Sequence, residues 1–202
     1  MALTYTTSRP RLAARTIGAL LLAAVLFTGC DSGGNETATF TLDPVTFQFP
    51  LFDRGDVQNG AVELASENTE SVGPALRNFG FTQDEVVSAQ VTGVTLVRRS
   101  LGSPSATPPP ADGGPAETKV FDFINQAEVQ LRASGVSAVT VGSRSGDFEL
   151  SGETSLDAQG GDVTGLVQAN DIEAVLNLTL DSFDGGPFRV EVDVTFEVTG
   201  QL

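Results

Sequence analysis

Phe188-Arg189-Val190-Glu191-Val192-Asp193-Val194-Thr195-Phe196-Glu197-Val198-Thr199 decides the fold class of this 202-residue chain. Apolar side chains at 188, 190, 192, 194, 196 and 198 alternate without a break with polar or charged ones. A period of two describes a strand with one buried and one wet face. Strands covered on both faces, as in parallel sheets, read as continuous apolar runs, so this alternation belongs to an antiparallel sheet.

The same period recurs upstream. Leu176, Leu178 and Leu180 alternate ahead of Asp184-Gly185-Gly186-Pro187, which predicts a hairpin joining residues 176–180 to 188–199. Ser134-Gly135 predicts a second hairpin, between residues 128–133 and 136–142. Further strands are expected over residues 40–49, 86–97, 148–151 and 163–168, with Pro44 making the first an edge or a broken strand. About seven or eight short strands separated by Gly, Ser and Asp turns point to a mainly β protein. The expected architecture is an antiparallel β-sandwich, Ig-like or jelly-roll-like, with one or two short helices. Residues 74–79, with Pro just inside the start and Gly80 just past the end, predict one helix. Asn170-Asp171-Ile172-Glu173 reads as a capping box opening the other, and both are expected to plug the ends of the sandwich.

Residues 100–118 carry Pro104, Pro108, Pro109, Pro110 and Pro115 among Gly, Ala and Ser and cannot supply a core strand. They are expected to form a surface loop. A domain boundary there would leave only about 60 residues ahead of it, marginal for a separate core. Residues 40–202 therefore read as a single domain. Val-Thr-Gly recurs at Val91, Val163 and Val198, but at unequal spacing, and marks strand ends rather than a repeat.

Charge narrows the partners. The chain carries a formal −15, and the first 29 residues hold three arginines and no acid. The residues beyond them carry 8 basic and 26 acidic groups, a formal −18. Such a chain repels a phosphate backbone, so nucleic acid is excluded as a general partner. The excess also resembles the surface of proteins adapted to high salt, where self-repulsion is screened within about 3 Å at 1 M. Stability is expected to rise with salt.

Composition then narrows the chemistry. His and Trp are absent, and Met1, Tyr5 and Cys30 are the only residues of their kinds. Ser/His/Asp and Cys/His nucleophile systems cannot be assembled, zinc lacks its usual ligands, and no disulfide can form within the chain. No phosphate-cradling glycine run occurs, and Lys119, the sole lysine, has no Ser-x-x-Lys pattern around it. No cofactor is expected.

The N-terminus carries an address. Residues 17–27 form an uncharged apolar stretch behind Arg9, Arg11 and Arg15, the pattern of a secretory signal peptide. Eleven residues reach about half the hydrocarbon thickness of a bilayer, too short for a permanent span. Leu26-Phe27-Thr28-Gly29-Cys30 resembles the lipobox of bacterial lipoproteins, with Phe27 where Leu, Val or Ile is usual. The resemblance implies that Cys30 is acylated and becomes the first mature residue, with residues 1–29 removed. It implies an exported, membrane-anchored envelope protein, with the outer membrane favoured and Asp31 giving the inner membrane as the alternative. Residues 30–39, polar and Gly-rich after Cys30, would act as a flexible tether with a reach of roughly 16 Å.

Two carboxylate patterns remain. Glu191 and Asp193 share the wet face of their strand about 6.8 Å apart, within the separation used by inverting glycosidases, although any two acids so spaced qualify. Asp157 with Asp162, and Asp181 with Asp184, flank Gly-containing turns that offer a weak calcium site without the EF-hand spacing. The expectation is a lipid-anchored, non-catalytic binding or scaffolding module with an envelope protein or glycan as partner. A carboxylate-based glycan hydrolase and a calcium-dependent adhesion module are the alternatives.

Overall fold

The computed structural model describes residues 36–52, 54–99, 121, 123–146, 148, 153–181 and 189–201. In chain order the strands are β1 (Thr37–Thr41), β2 (Val45–Gln48), β3 (Ala61–Ala65), β4 (Val86–Arg99) and β5 (Ile124–Ala133). β6 (Val136–Ser145), β7 (Glu153–Ala158), β8 (Glu173–Leu180) and β9 (Arg189–Gln201) come next, with two short helices, α1 (Gly73–Asn78) and α2 (Thr164–Gln168). Every strand pairing is antiparallel, and the fold is mainly β and sandwich-like.

β9 is the centre of one layer. Val190, Val192, Val194, Phe196 and Val198 all lie on the core side and are fully buried, as the alternation requires. β4 pairs along one edge of β9, and β1 and β2 share the other. The expected strand over residues 40–49 is thus broken at Leu42-Asp43-Pro44. Thr41 pairs with Glu197 and Val45 with Val194, so the break absorbs one residue of register. Proline cannot donate to the ladder, and the chain resumes beyond it.

The second layer runs β6, β5, β8, β3. β7 joins the two layers: Glu153–Leu156 pair with β4, while Asp157 and Ala158 pair with β6. Gly142, where this corner is tightest, has no room for a side chain, since a Cβ would lie 2.9 Å from Val94. The opposite side is closed by the chain leaving β3. Ser66 N–H donates to the Ala174 carbonyl across β8, and Glu67 N–H donates to the Gln48 carbonyl of β2 at 2.7 Å. Asn68 completes the join. Its Oδ1 accepts from the Gln48 N–H at 2.8 Å and its Nδ2 donates to the Thr46 carbonyl at 3.0 Å, so one side chain satisfies the outward edge of β2 as a neighbouring strand would.

Both helices seal the same end. Phe79 and Phe81, just after α1, stack on Phe40 of β1, and Phe81 lies so close to Gly200 that a Cβ there would approach it to 2.5 Å. From α2, Gln168 Nε2 donates to the carbonyl of Val86, the residue opposite Gly200. Gln83 locks the two together by donating to the Val167 and Ala169 carbonyls. Phe49 and Phe121, both fully buried, sit at the other end, beside Val190 and Ile124.

The hairpin at Ser134-Gly135 forms, with Ala133 opposite Val136 and Gly135 at φ +77. The hairpin expected between residues 176–180 and 188–199 does not. β8 is flanked by β3 and β5, whereas β9 lies in the other layer between β4 and the β1/β2 edge. Residues 163–168, expected as a strand, contain α2, because Leu166 and Val167 are both fully buried and adjacent residues of a strand point to opposite faces. Residues 170–173 open no helix: Ile172 bridges to Glu70 and β8 starts at Glu173. Of the strand expected over 148–151, residues 149–151 lie outside the described residues, as do the loop at 100–118 and Cys30.

Candidate functional site

Glu191 and Asp193 lie on the outer face of β9, between Gln48 and Thr46 of β2 and Val97 and Thr95 of β4. Neither lines the two grooves described below. Asp193 accepts a hydrogen bond from the Thr46 hydroxyl at 2.6 Å, and Glu191 is only 8% exposed although it points away from the core. The pair therefore sits within a paired sheet, with Asp193 engaged by Thr46 and Glu191 nearly covered.

A concave surface exists elsewhere, an open groove of about 300 Å³ lined by Ser88, Gln90, Gly160, Asp162, Glu197 and Thr199. Local sequence builds it. Asp162 precedes α2 and accepts from both the hydroxyl (2.5 Å) and the N–H (2.9 Å) of Thr164. The Thr164 hydroxyl in turn accepts from the Ala89 N–H at 2.9 Å, which fastens α2 to β4. Hydrogen bonds from the Thr164 side chain and backbone hold the Asp162 carboxyl below its usual pKa. Across the groove, Gln90 Nε2 donates to Glu197 at 2.6 Å. Both carboxylates are thus engaged by protein donors. A second open groove, of about 520 Å³, lies over β3 and β8 between Asp56, Gln58, Glu63, Asn177 and Thr179.

The calcium candidates are placed apart in role. Asp157 is exposed and paired within β7 opposite Ser143, while Asp162 anchors the start of α2. Asp181 follows β8 with an exposed side chain, its backbone N–H bound to the Phe123 carbonyl at 2.9 Å. Asp184 lies outside the described residues. Among the described residues, no three His, Cys, Asp or Glu side chains converge into a metal-holding group.

Sequence reasoning missed two polar features. Thr82-Gln83-Asp84-Glu85 carries the capping-box spacing, and the Glu85 carboxylate accepts from the Thr82 N–H at 2.7 Å and its hydroxyl at 2.9 Å. These bonds, the backbone one foremost, hold Glu85 below the usual carboxylate range. Asn68 was the other, and no local pattern marks it, since its partners on β2 lie 20 residues or more away. Among the described residues no helix is long and apolar enough to cross a membrane. No protein-family model matches the chain, and no curated protein matches it.

Proposed function

We propose that the protein is a lipid-anchored lipoprotein of the bacterial cell envelope, with the outer membrane as its favoured site, and that it works by binding or scaffolding rather than by catalysis. One observation carries the reading: an apolar stretch behind three arginines ends at the chain's sole cysteine, Cys30, seven residues ahead of the first strand. Two ester-linked chains and one amide-linked chain, as the lipoprotein resemblance implies, at about 0.8 kcal/mol per buried methylene give stable attachment. The engagement of Asp193 by Thr46, Asp162 by Thr164 and Glu197 by Gln90 supports a structural use of the acids.

The tether would enter at Thr37, opposite Gln201, which is the helix-sealed end. β9 spans twelve residue steps, so the opposite end lies about 41 Å from this one. β7 and β9 both begin at that far end. Mass spectrometry of the mature N-terminus tests the anchor. An acylated Cys30 as first residue is expected, and Cys30→Ser should move the protein from the membrane to the soluble fraction. An unprocessed precursor, or a freely alkylating thiol in the exported protein, refutes the reading.

A further inference from the structure

The outer edge of β1 carries no charge, and among the described residues its outward peptide groups are open. Leu42 N–H donates to the Phe196 carbonyl, which fixes the register so that Ala38 and Phe40 bond β9 while Thr37, Thr39 and Thr41 turn their N–H and C=O groups away from it. No described residue pairs with them. The neighbouring half of the same edge is treated differently, because Asn68 and Glu67 cover β2. The β3 edge is interrupted too, with Gln58 bonding both outward groups of Ala61 and Glu63 placing a charge beside it. Natural edges are blunted by charge, proline or a covering segment. Thr37–Thr41, reading Thr-Ala-Thr-Phe-Thr, carries none of the first two, and its acids, Glu36 and Asp43, stand just outside it.

We propose that this edge is a homotypic pairing site, at which β1 of a second copy adds antiparallel about a two-fold axis through Thr39. That axis sets Thr37 opposite Thr41 of the second copy and Glu36 opposite Leu42, so no like charges face each other along the ladder. In a chain this acidic, such an uncharged stretch is where two copies can approach. A second argument rests on the lipid anchor proposed above. Only six residues separate Cys30 from Thr37, so anchored copies keep their β1 edges within a short tether's length of one surface. Confinement to a plane raises the effective concentration of a short contact that is weak in dilute solution.

The test is made on the full chain exported in a bacterial host. Thr39→Cys is treated in intact envelopes with a short bis-maleimide, and Val87→Cys, at an exposed position, is the control. A product of twice the chain mass, at least threefold more abundant for Thr39→Cys than for the control, is expected. Adding Thr41→Pro, which removes an outward N–H and leaves the bonds to β9 intact, should return it to the control level. Equal yields from the two cysteines, or a Thr39→Cys adduct with a different protein, overturn the proposal. Crosslinking of the wild-type chain would report a free Cys30, which refutes the anchor and not the edge. The comparison is then repeated in Cys30→Ser at high concentration, where a dimer specific to Thr39→Cys sustains the edge and its absence overturns it.

Discussion

Replacing Asn68 with alanine removes three hydrogen bonds at once: Oδ1 from the Gln48 N–H at 2.8 Å, and Nδ2 to the Thr46 carbonyl at 3.0 Å and to Glu70 at 2.6 Å. A net value of about 1 kcal/mol each gives about 3 kcal/mol. The Gln48 N–H is exposed and can turn to water, which lowers the expected loss to about 2 kcal/mol. With a urea m-value of about 2 kcal/mol/M for a domain of this size, the unfolding midpoint should fall by about 1 M without a change in slope. Asn68→Asp separates hydrogen bonding from packing. It keeps the acceptor for Gln48 but sets a carboxylate against the Thr46 carbonyl and the Glu70 carboxylate. At neutral pH it should cost at least as much as alanine, and the excess should disappear once the pH falls below the carboxylate range. An alanine variant within about 0.5 kcal/mol of the parent would falsify the view that one side chain closes the seam between the layers.

Four further outcomes are expected at other positions. Thr154 is 2% exposed and its hydroxyl has no hydrogen-bond partner among the described residues, so Thr154→Val should raise stability by about 1 kcal/mol, or about 2–4 °C in the thermal midpoint; a lower midpoint contradicts this. Gly200→Ala should cost about 1–3 kcal/mol through its clash with Phe81, and a double-mutant cycle with Phe81→Leu should recover part of that loss. Asp162 and Glu85 titrate below their ordinary values in the fold, so the stability they lend is present above the unfolded pKa and lost as pH falls through the folded one; unfolding midpoints from pH 6 to pH 2 should decline less steeply for Asp162→Asn. The formal −18 beyond residue 29 should make the thermal midpoint higher in 1 M salt than in dilute buffer, and an equal or lower midpoint argues against self-repulsion as a significant cost.

How much of the fold was legible depends on how local each cause is. β9 shows its alternation because the extra residue at each irregularity along it lies in a partner, in β4 or between β1 and β2, and never in β9 itself. β4 does not, because bulges at Val86/Ser88 and Val91/Gly93 each shift the inward phase by one residue, so its core-facing positions fall at 86, 89, 91, 94 and 96 while Val97 is buried next to them. Residues 163–168 are too short for either period to declare itself, and burial of Leu166 beside Val167 decided in favour of a helical turn. The capping-box spacing at residues 170–173 lost to the bridge between Ile172 and Glu70. Leu176, Leu178 and Leu180 announced a strand correctly, but nothing in alternation names a partner, and β8 found both of its neighbours elsewhere. The acids tell the same story. Spacing suggested paired carboxylates, whereas Thr46 and Thr164, each on a different element, determine what Asp193 and Asp162 do.

The antiparallel run of β1 along β9 has a mechanical consequence. Tension arriving through the chain ahead of Thr37 acts along the strand axis, so it loads the rungs between β1 and β9 together, in shear, rather than unzipping them one at a time. The kink at Pro44 limits how far a slip can travel, because the one-residue offset beyond it leaves β2 on a separate ladder. A tug strong enough to free the first five residues would leave the rest of the sandwich standing.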